Sequence, residues 1–162
     1  MANIKSLQII EANVGDHLTA IVNFQIAMAD ETENLKLDPL TVKKGVTAVF
    51  DDPHRGKYYV CVETFSHQCS VKVVASMLTI PEWSDWRNAT CIWIHSVYVV
   101  PEYRRQRIFA MMYDHLKEKV ISNSEYFALR LYVDKRNVGA QNVYQRLGMN
   151  NHHYLLYEWI KV

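Results

Sequence analysis

Several things are scarce in this chain. Among its 162 residues there are three cysteines, Cys61, Cys69 and Cys91. The number is odd and the spacing matches no metal motif, so neither a disulfide framework nor a cysteine-based metal site is expected. All three read as buried free thiols, with Cys91 a secondary candidate for a nucleophile because of the strand it opens. Five glycines and four prolines form no linker, repeat or low-complexity tract. No apolar run approaches the length of a membrane span, and the opening “MANIKSLQIIEANVGDH” lacks a basic start followed by a long apolar core. The expected location is the cytoplasm, with no membrane partner. Net charge is only +1, with no lysine tract, so the electrostatic footprint of a nucleic-acid binder is missing.

What remains is an ordinary globular composition, 49% apolar, in a chain long enough to bury a core as a single domain over residues 1–162. “LQIIEA” reads as a first strand. Asp16 is placed to cap a helix carrying the stripe Leu18, Ile21, Val22, Met28 and Ala29, which “ADETENLKLD” interrupts. Asp38–Pro39 starts a second helix with Val42, Val46, Val49 and Phe50 on one side. “YYVCVETF” and “SVKVVASMLTI” form a hairpin around “SHQC”, and the Trp-rich loop “PEWSDWRNAT” leads into an apolar strand at 91–100. A third helix is expected from about Arg105 to Val120, with Ile108, Met112 and Leu116 four apart. “FALRLYV” is a strand, Asn137 caps a fourth helix closed by Gly148, and “YLLYEWIKV” is a last strand. Two strand–helix–strand passages predict an α/β fold, a mixed sheet with a parallel strand pair and helices on both faces.

One feature opposes the usual electrostatics. Arg104, Arg105 and Arg107 stand where the strand at 91–100 gives way to a helix, although a helix start carries a positive dipole end that disfavours cations. Either a bound anion sits among the arginines and the free N–H groups there, or the side chains fan into solvent.

“VYVVPEYRRQRIFAMMYDHL” resembles the acetyl-CoA-binding segment of the GNAT acetyltransferase superfamily, a strand followed by a Gln/Arg-x-x-Gly-x-Gly/Ala turn. “NVGAQNVYQRLGM”, at 137–149, is similar to that family's second signature, Asn-x-x-Ala-x-x-x-Tyr-x-x-x-Gly. The resemblance implies a GNAT fold: one mixed, mostly antiparallel sheet with a parallel central pair, flanked by about four helices. It implies acetyl-CoA as donor and no metal. Val97, Tyr98 and Val99 would offer main-chain groups to pantetheine and the oxyanion, and Arg104, Arg105, Gln106, Arg107, Ile108 and Phe109 would form the pyrophosphate turn. Asn137, Ala140 and Tyr144 match the second signature, and the resemblance implies that they also take part in binding the coenzyme. The chain departs from the pattern at Arg107, where a glycine is expected, and at Phe109, where a glycine or alanine is. A large side chain at 107 must point away from the pyrophosphate or over it.

Acetyl transfer to an amine needs a base for the ammonium, donors for the oxyanion and an acid for the leaving thiolate. Tyr144 is the candidate acid, since a phenol with a reference pKa near 10 is protonated at neutral pH; the alternative is a core tyrosine on an apolar stripe. His95, read as the titratable group of an apolar strand interior, is the candidate base, the alternatives being a structural histidine and an ordered water. For the acceptor the resemblance points to the segment after the first helix, with Asp30, Glu31 and Glu33, and to the loop with Glu82, Trp83, Asp85 and Trp86. Carboxylates beside aromatic faces suit a cationic amine, as in the diamine and polyamine branch, so a small primary amine is the first choice. A peptide lysine or N-terminus is the second, and a non-catalytic acyl-CoA-binding module the third. A homodimer is expected by analogy with the family.

Overall fold

The structure, a computed structural model, describes residues 5–65 and 68–161. It divides into two compact units, one ending at Leu131 and the other beginning at Tyr132. The first runs β1 (Lys5–Glu11), α1 (Val14–Glu33), α2 (Pro39–Asp51), β2 (Lys57–Phe65), β3 (Gln68–Ser84), β4 (Ala89–Val99), a 3-10 turn (Pro101–Tyr103), α3 (Ile108–Ser122) and β5 (Tyr126–Leu131). The second holds α4 (Val138–Arg146).

The helix starts follow local chemistry. Asn13, and not Asp16, caps α1: its side chain accepts from the Asp16 N–H at 2.8 Å, while Asp16 stands in the first turn where the dipole favours it. The helix runs on through Ala29–Glu33, past the end of its apolar stripe, and stops at Asn34 in the left-handed region. Losing amphipathicity does not end a helix; losing the backbone conformation does. The Asp38 carboxylate caps α2 by accepting from the Thr41 N–H and hydroxyl, with Pro39 in the first turn as expected.

The sheet order is β1-β2-β3-β4-β5, antiparallel through β4, with β5 parallel to β4. Strand alternation sends Tyr58, Val60 and Val62 to one face, where they pack with Ile21, Val22, Val46 and Leu78 under α1 and α2. Tyr59 points to the other face, 5.5 Å from the His115 ring of α3, and takes a hydrogen bond from Lys119 Nζ at 2.7 Å. Ile108, Met112 and Leu116 of α3 are buried, as their spacing predicts. Helices therefore cover both faces.

Three sequence readings need correction here. β3 continues through “PEWS” to Ser84, so the Trp-rich loop shrinks to a tight turn at 85–88 with Asn88 at φ 47°. The third helix begins at Ile108, leaving Arg104–Arg107 as a loop. Residues 154–161 form no strand, because a strand needs a ladder partner and no described strand pairs with them. Of the expected hairpin turn, Ser66 and His67 lie outside the described residues, as does the Cys69 side chain. No helix of the described residues is long and apolar enough to cross a membrane.

Candidate functional site

The site is built on the end of β4. The β4–β5 ladder stops at Ile94↔Leu131, while β4 runs on to Val99 against β3 alone. The Val100 N–H donates to the Val74 carbonyl at 3.0 Å. By antiparallel alternation the N–H groups of Tyr98 and Ser96 also face β3, so those of Val97 and Val99 face the edge that β5 leaves open. His95 lies at the register shift where Leu78↔Ser96 gives way to Thr79↔Ile94. This bulge, which strand alternation alone does not show, turns His95 out to solvent and not into the apolar interior that the sequence suggested.

Beyond Val99 the chain makes its 3-10 turn and then a loop with two residues in the left-handed region, Arg105 at φ 63° and Arg107 at φ 62°. Arg107 thus holds a backbone conformation that favours glycine, with its side chain exposed. It also serves as the residue before α3 and gives no side-chain cap, and the first turn of α3 has no acidic residue. The first intrahelical bond recorded there is from the Met111 N–H to the Arg107 carbonyl, at 3.0 Å. A helix start of this kind presents main-chain N–H groups ahead of the first helical acceptors, donors suited to a phosphate. Gln106 donates to the Glu102 carbonyl at 2.9 Å, which tightens the loop. Phe109 is half-buried and stacks on Tyr113 at 6.3 Å, which keeps its ring off the loop backbone.

Arg104 is held on three sides. Its Nε donates to the Val99 carbonyl at 3.0 Å, its Nη2 to Glu31 Oε2 at 2.5 Å, and its guanidinium lies 5.5 Å from the Tyr98 ring centroid. Tyr98, packed on Phe24 of α1, donates its hydroxyl to the other Glu31 oxygen at 2.8 Å. Those two hydrogen bonds, Arg104 first, hold the Glu31 carboxyl below the usual range, while burial and then Glu31 push the Tyr98 phenol up. Tyr103 anchors the preceding turn: its hydroxyl donates to the buried Glu63 of β2 at 2.5 Å, and Lys72 sits 4.9 Å from its ring centroid. The hydrogen bond to Glu63 pushes the Tyr103 phenol up to about 12. Sequence reasoning missed Glu63 and Tyr103, although an acid inside the apolar run “YYVCVETF” was the available signal.

The other candidates fall in two places. Glu33 ends α1 and is exposed, not far along the helix from Glu31. Trp83, Asp85 and Trp86 sit at the β3–β4 turn, at the opposite end of β4 from the arginine loop, about 30 Å away at the rise of a strand. Trp86 is 90% exposed there. Glu82 of β3 is engaged by Trp93 Nε1 and, at 3.0 Å, by Arg130 Nη1. Burial pushes the Cys61 and Cys91 thiols up to about 11, so Cys91 is a packed thiol at neutral pH and not a thiolate nucleophile. Among the described residues no cluster of histidine, cysteine and acidic side chains could hold a metal.

In the second unit, Asn137 caps α4 by accepting from the Ala140 N–H at 3.0 Å, and Gly148 follows it at φ 86°. Tyr144 is half-buried, and burial raises its phenol above the ordinary value.

A mixed sheet whose parallel pair stops short, followed by a helix start without acids and rimmed with arginines, is an arrangement suited to an extended ligand that carries an anionic group. The sequence profile of the acetyltransferase (GNAT) family matches residues 24–149, so the chain belongs to that family and is an acetyltransferase with acetyl-CoA as its donor. Among solved structures it is similar to a possible acetyltransferase from Clostridium difficile 630, at 38% identity, with 96% of this chain and 98% of that one covered and a TM-score of 0.84. The fold is also that of a ribosomal-protein-alanine N-acetyltransferase from Brucella melitensis, at 10% identity, 96% and 100% coverage and a TM-score of 0.71. The aminoglycoside N-acetyltransferase AAC(6')-Iy in complex with CoA shares the fold at 8% identity, 100% and 98% coverage and a TM-score of 0.71. No curated protein sequence matches the chain.

Proposed function

We propose that this protein transfers the acetyl group of acetyl-CoA to a small primary amine, as a homodimer in the cytoplasm. The observation that carries the reading is the open edge of β4, where Val97 and Val99 N–H groups lie on the same strand that leads into the Arg104–Phe109 loop. Extended main-chain donors suit the amides of pantetheine and a developing oxyanion. The loop, with Arg104, Arg105 and Arg107 around Gln106 and the start of α3 at Ile108 and Phe109, suits a pyrophosphate.

In this reading Tyr144 supplies the proton for the departing thiolate, and its raised pKa keeps it protonated at neutral pH. Asn137 and Ala140 serve that role indirectly, by setting the start of the helix that carries Tyr144. His95, solvent-facing at the bulge, or a water beside it takes the ammonium proton. The acceptor is drawn toward the acidic end of α1, where Glu31 and Glu33 stand. The turn residues Trp83, Asp85 and Trp86 can contribute only to an extended acceptor, given their distance along β4.

Calorimetric titration with acetyl-CoA followed by an amine panel tests the reading. Micromolar binding, lost when Arg104 and Arg107 are both changed to glutamate, and turnover of small amines are the expected results; binding without turnover of any amine would leave a coenzyme-binding module. Tyr144→Phe is expected to lower kcat by about 10²-fold with coenzyme affinity unaltered, and an unchanged kcat returns Tyr144 to a packing role.

A further inference from the structure

Arg104, the residue best placed to meet a phosphate from the side of β4, already holds an anion. Its partner comes from a different element, α1, and is gripped at both oxygens: Arg104 Nη2 at 2.5 Å on one, the Tyr98 hydroxyl at 2.8 Å on the other. The pair is not a buried structural bridge, since the side chains are 44% and 41% exposed. A half-exposed ion pair is weak enough to be exchanged for a better anion. The neighbouring acid, Asp30, is engaged by Lys36 at 2.6 Å, whereas Glu31 is paired with the arginine. Arg104 also keeps a second anchor, the Val99 carbonyl, that does not depend on Glu31.

We infer that Glu31 is a competing internal anion for the coenzyme site: its carboxylate occupies Arg104 while coenzyme is absent, yields it when the pyrophosphate arrives, and reclaims it as product coenzyme A leaves. The inference rests on the pyrophosphate reading of the loop given above. It deepens that reading by making Glu31 a positioning residue that sets how tightly coenzyme is held and how fast it departs. Tyr98 keeps its grip on the carboxylate throughout, so the acid stays near Arg104 and recapture is fast.

The sign of the effect separates this role from a scaffolding one. If Glu31 merely holds Arg104 in place, its loss weakens coenzyme binding; if it competes, its loss strengthens binding. The measurement is calorimetric affinity and stopped-flow release of coenzyme A for wild type, Glu31→Gln, Arg104→Ala and the double variant. Glutamine keeps an oxygen for the Tyr98 hydroxyl. Glu31→Gln is expected to bind coenzyme A roughly two- to fivefold more tightly, the range of a half-exposed ion pair, with slower release, and to have no effect in the Arg104→Ala background. Weaker or unchanged binding overturns the inference. An equal gain in the Arg104→Ala background also overturns it, because the gain then reflects a general field and not competition for Arg104. Failure of the wild type to bind coenzyme A would instead sink the pyrophosphate reading itself.

Discussion

Arg107 is the residue at which chemistry and backbone disagree most. A left-handed conformation at a non-glycine residue costs on the order of 1–2 kcal/mol, while glycine would lose about 0.5–1 kcal/mol more entropy on folding. Arg107→Gly is therefore expected to stabilise the fold by about 0.5 kcal/mol, read from the denaturant midpoint at constant slope. A loss exceeding 1 kcal/mol would mean that the arginine makes contacts worth more than its strain. Tyr103 carries a pH signature. Its phenol is raised to about 12 by Glu63, and that of Tyr58 to about 12 by burial, so the protonated form is favoured in the fold. That contribution is complete below the unfolded value near 10 and is lost as pH rises toward 12. Stability is expected to fall across that window, and less steeply in Tyr103→Phe; parallel curves would remove the Glu63–Tyr103 bond from the account. At this scale the sequence offered residue types for a candidate site but not their orientation. Arg104, Tyr144 and Asn137 were visible as matches to motifs. His95 was misplaced because a bulge is set by the register with β3, at Leu78 and Thr79, which are distant in the sequence. Glu31 was visible as an acid, whereas its engagement by Arg104 spans 73 residues of sequence and leaves no local trace.

Elements were legible wherever a cap or a stripe defined them. α2 and α4 begin at the asparagine or aspartate that the sequence indicated, and the buried face of α3 is the expected one. Errors gathered at ends, where the deciding contacts are not periodic: α1 outlasts its stripe, β3 swallows half of the Trp-rich loop, and α3 starts late because the arginine loop needs two left-handed residues. The capping role assigned to Asn137 has a direct consequence. Asn137→Ala removes the acceptor for the Ala140 N–H and is expected to cost about 1 kcal/mol. The loss should appear in amide exchange of the first turn of α4, with β2 to β4 unaffected because they belong to the other compact unit. Uniformly faster exchange across the sheet would mean that the two units unfold as one.

For the whole molecule the outstanding fact is the chain's end. Leu155, Leu156, Tyr157, Trp159 and Ile160 are each at least 65% exposed. The segment was expected to be a strand because its composition favours one, yet composition supplies only half of a ladder and the other half is non-local. Fully burying one such side chain is worth roughly 1.5–3 kcal/mol, so five of them in solvent forgo an amount comparable to the whole net stability of a domain of this size. That imbalance is the reason to read the segment as the contact of the proposed homodimer, in which a second copy supplies the missing apolar surface. Sedimentation equilibrium at micromolar concentration decides the matter. The wild type is expected to sediment as a dimer and the double variant Leu156→Lys, Trp159→Lys as a monomer, because two lysines in a buried contact carry a desolvation cost that no partner offsets. A dimer that survives both substitutions would put the contact on another face, and a wild type that sediments as a monomer would leave the segment solvated and the dimer reading without support.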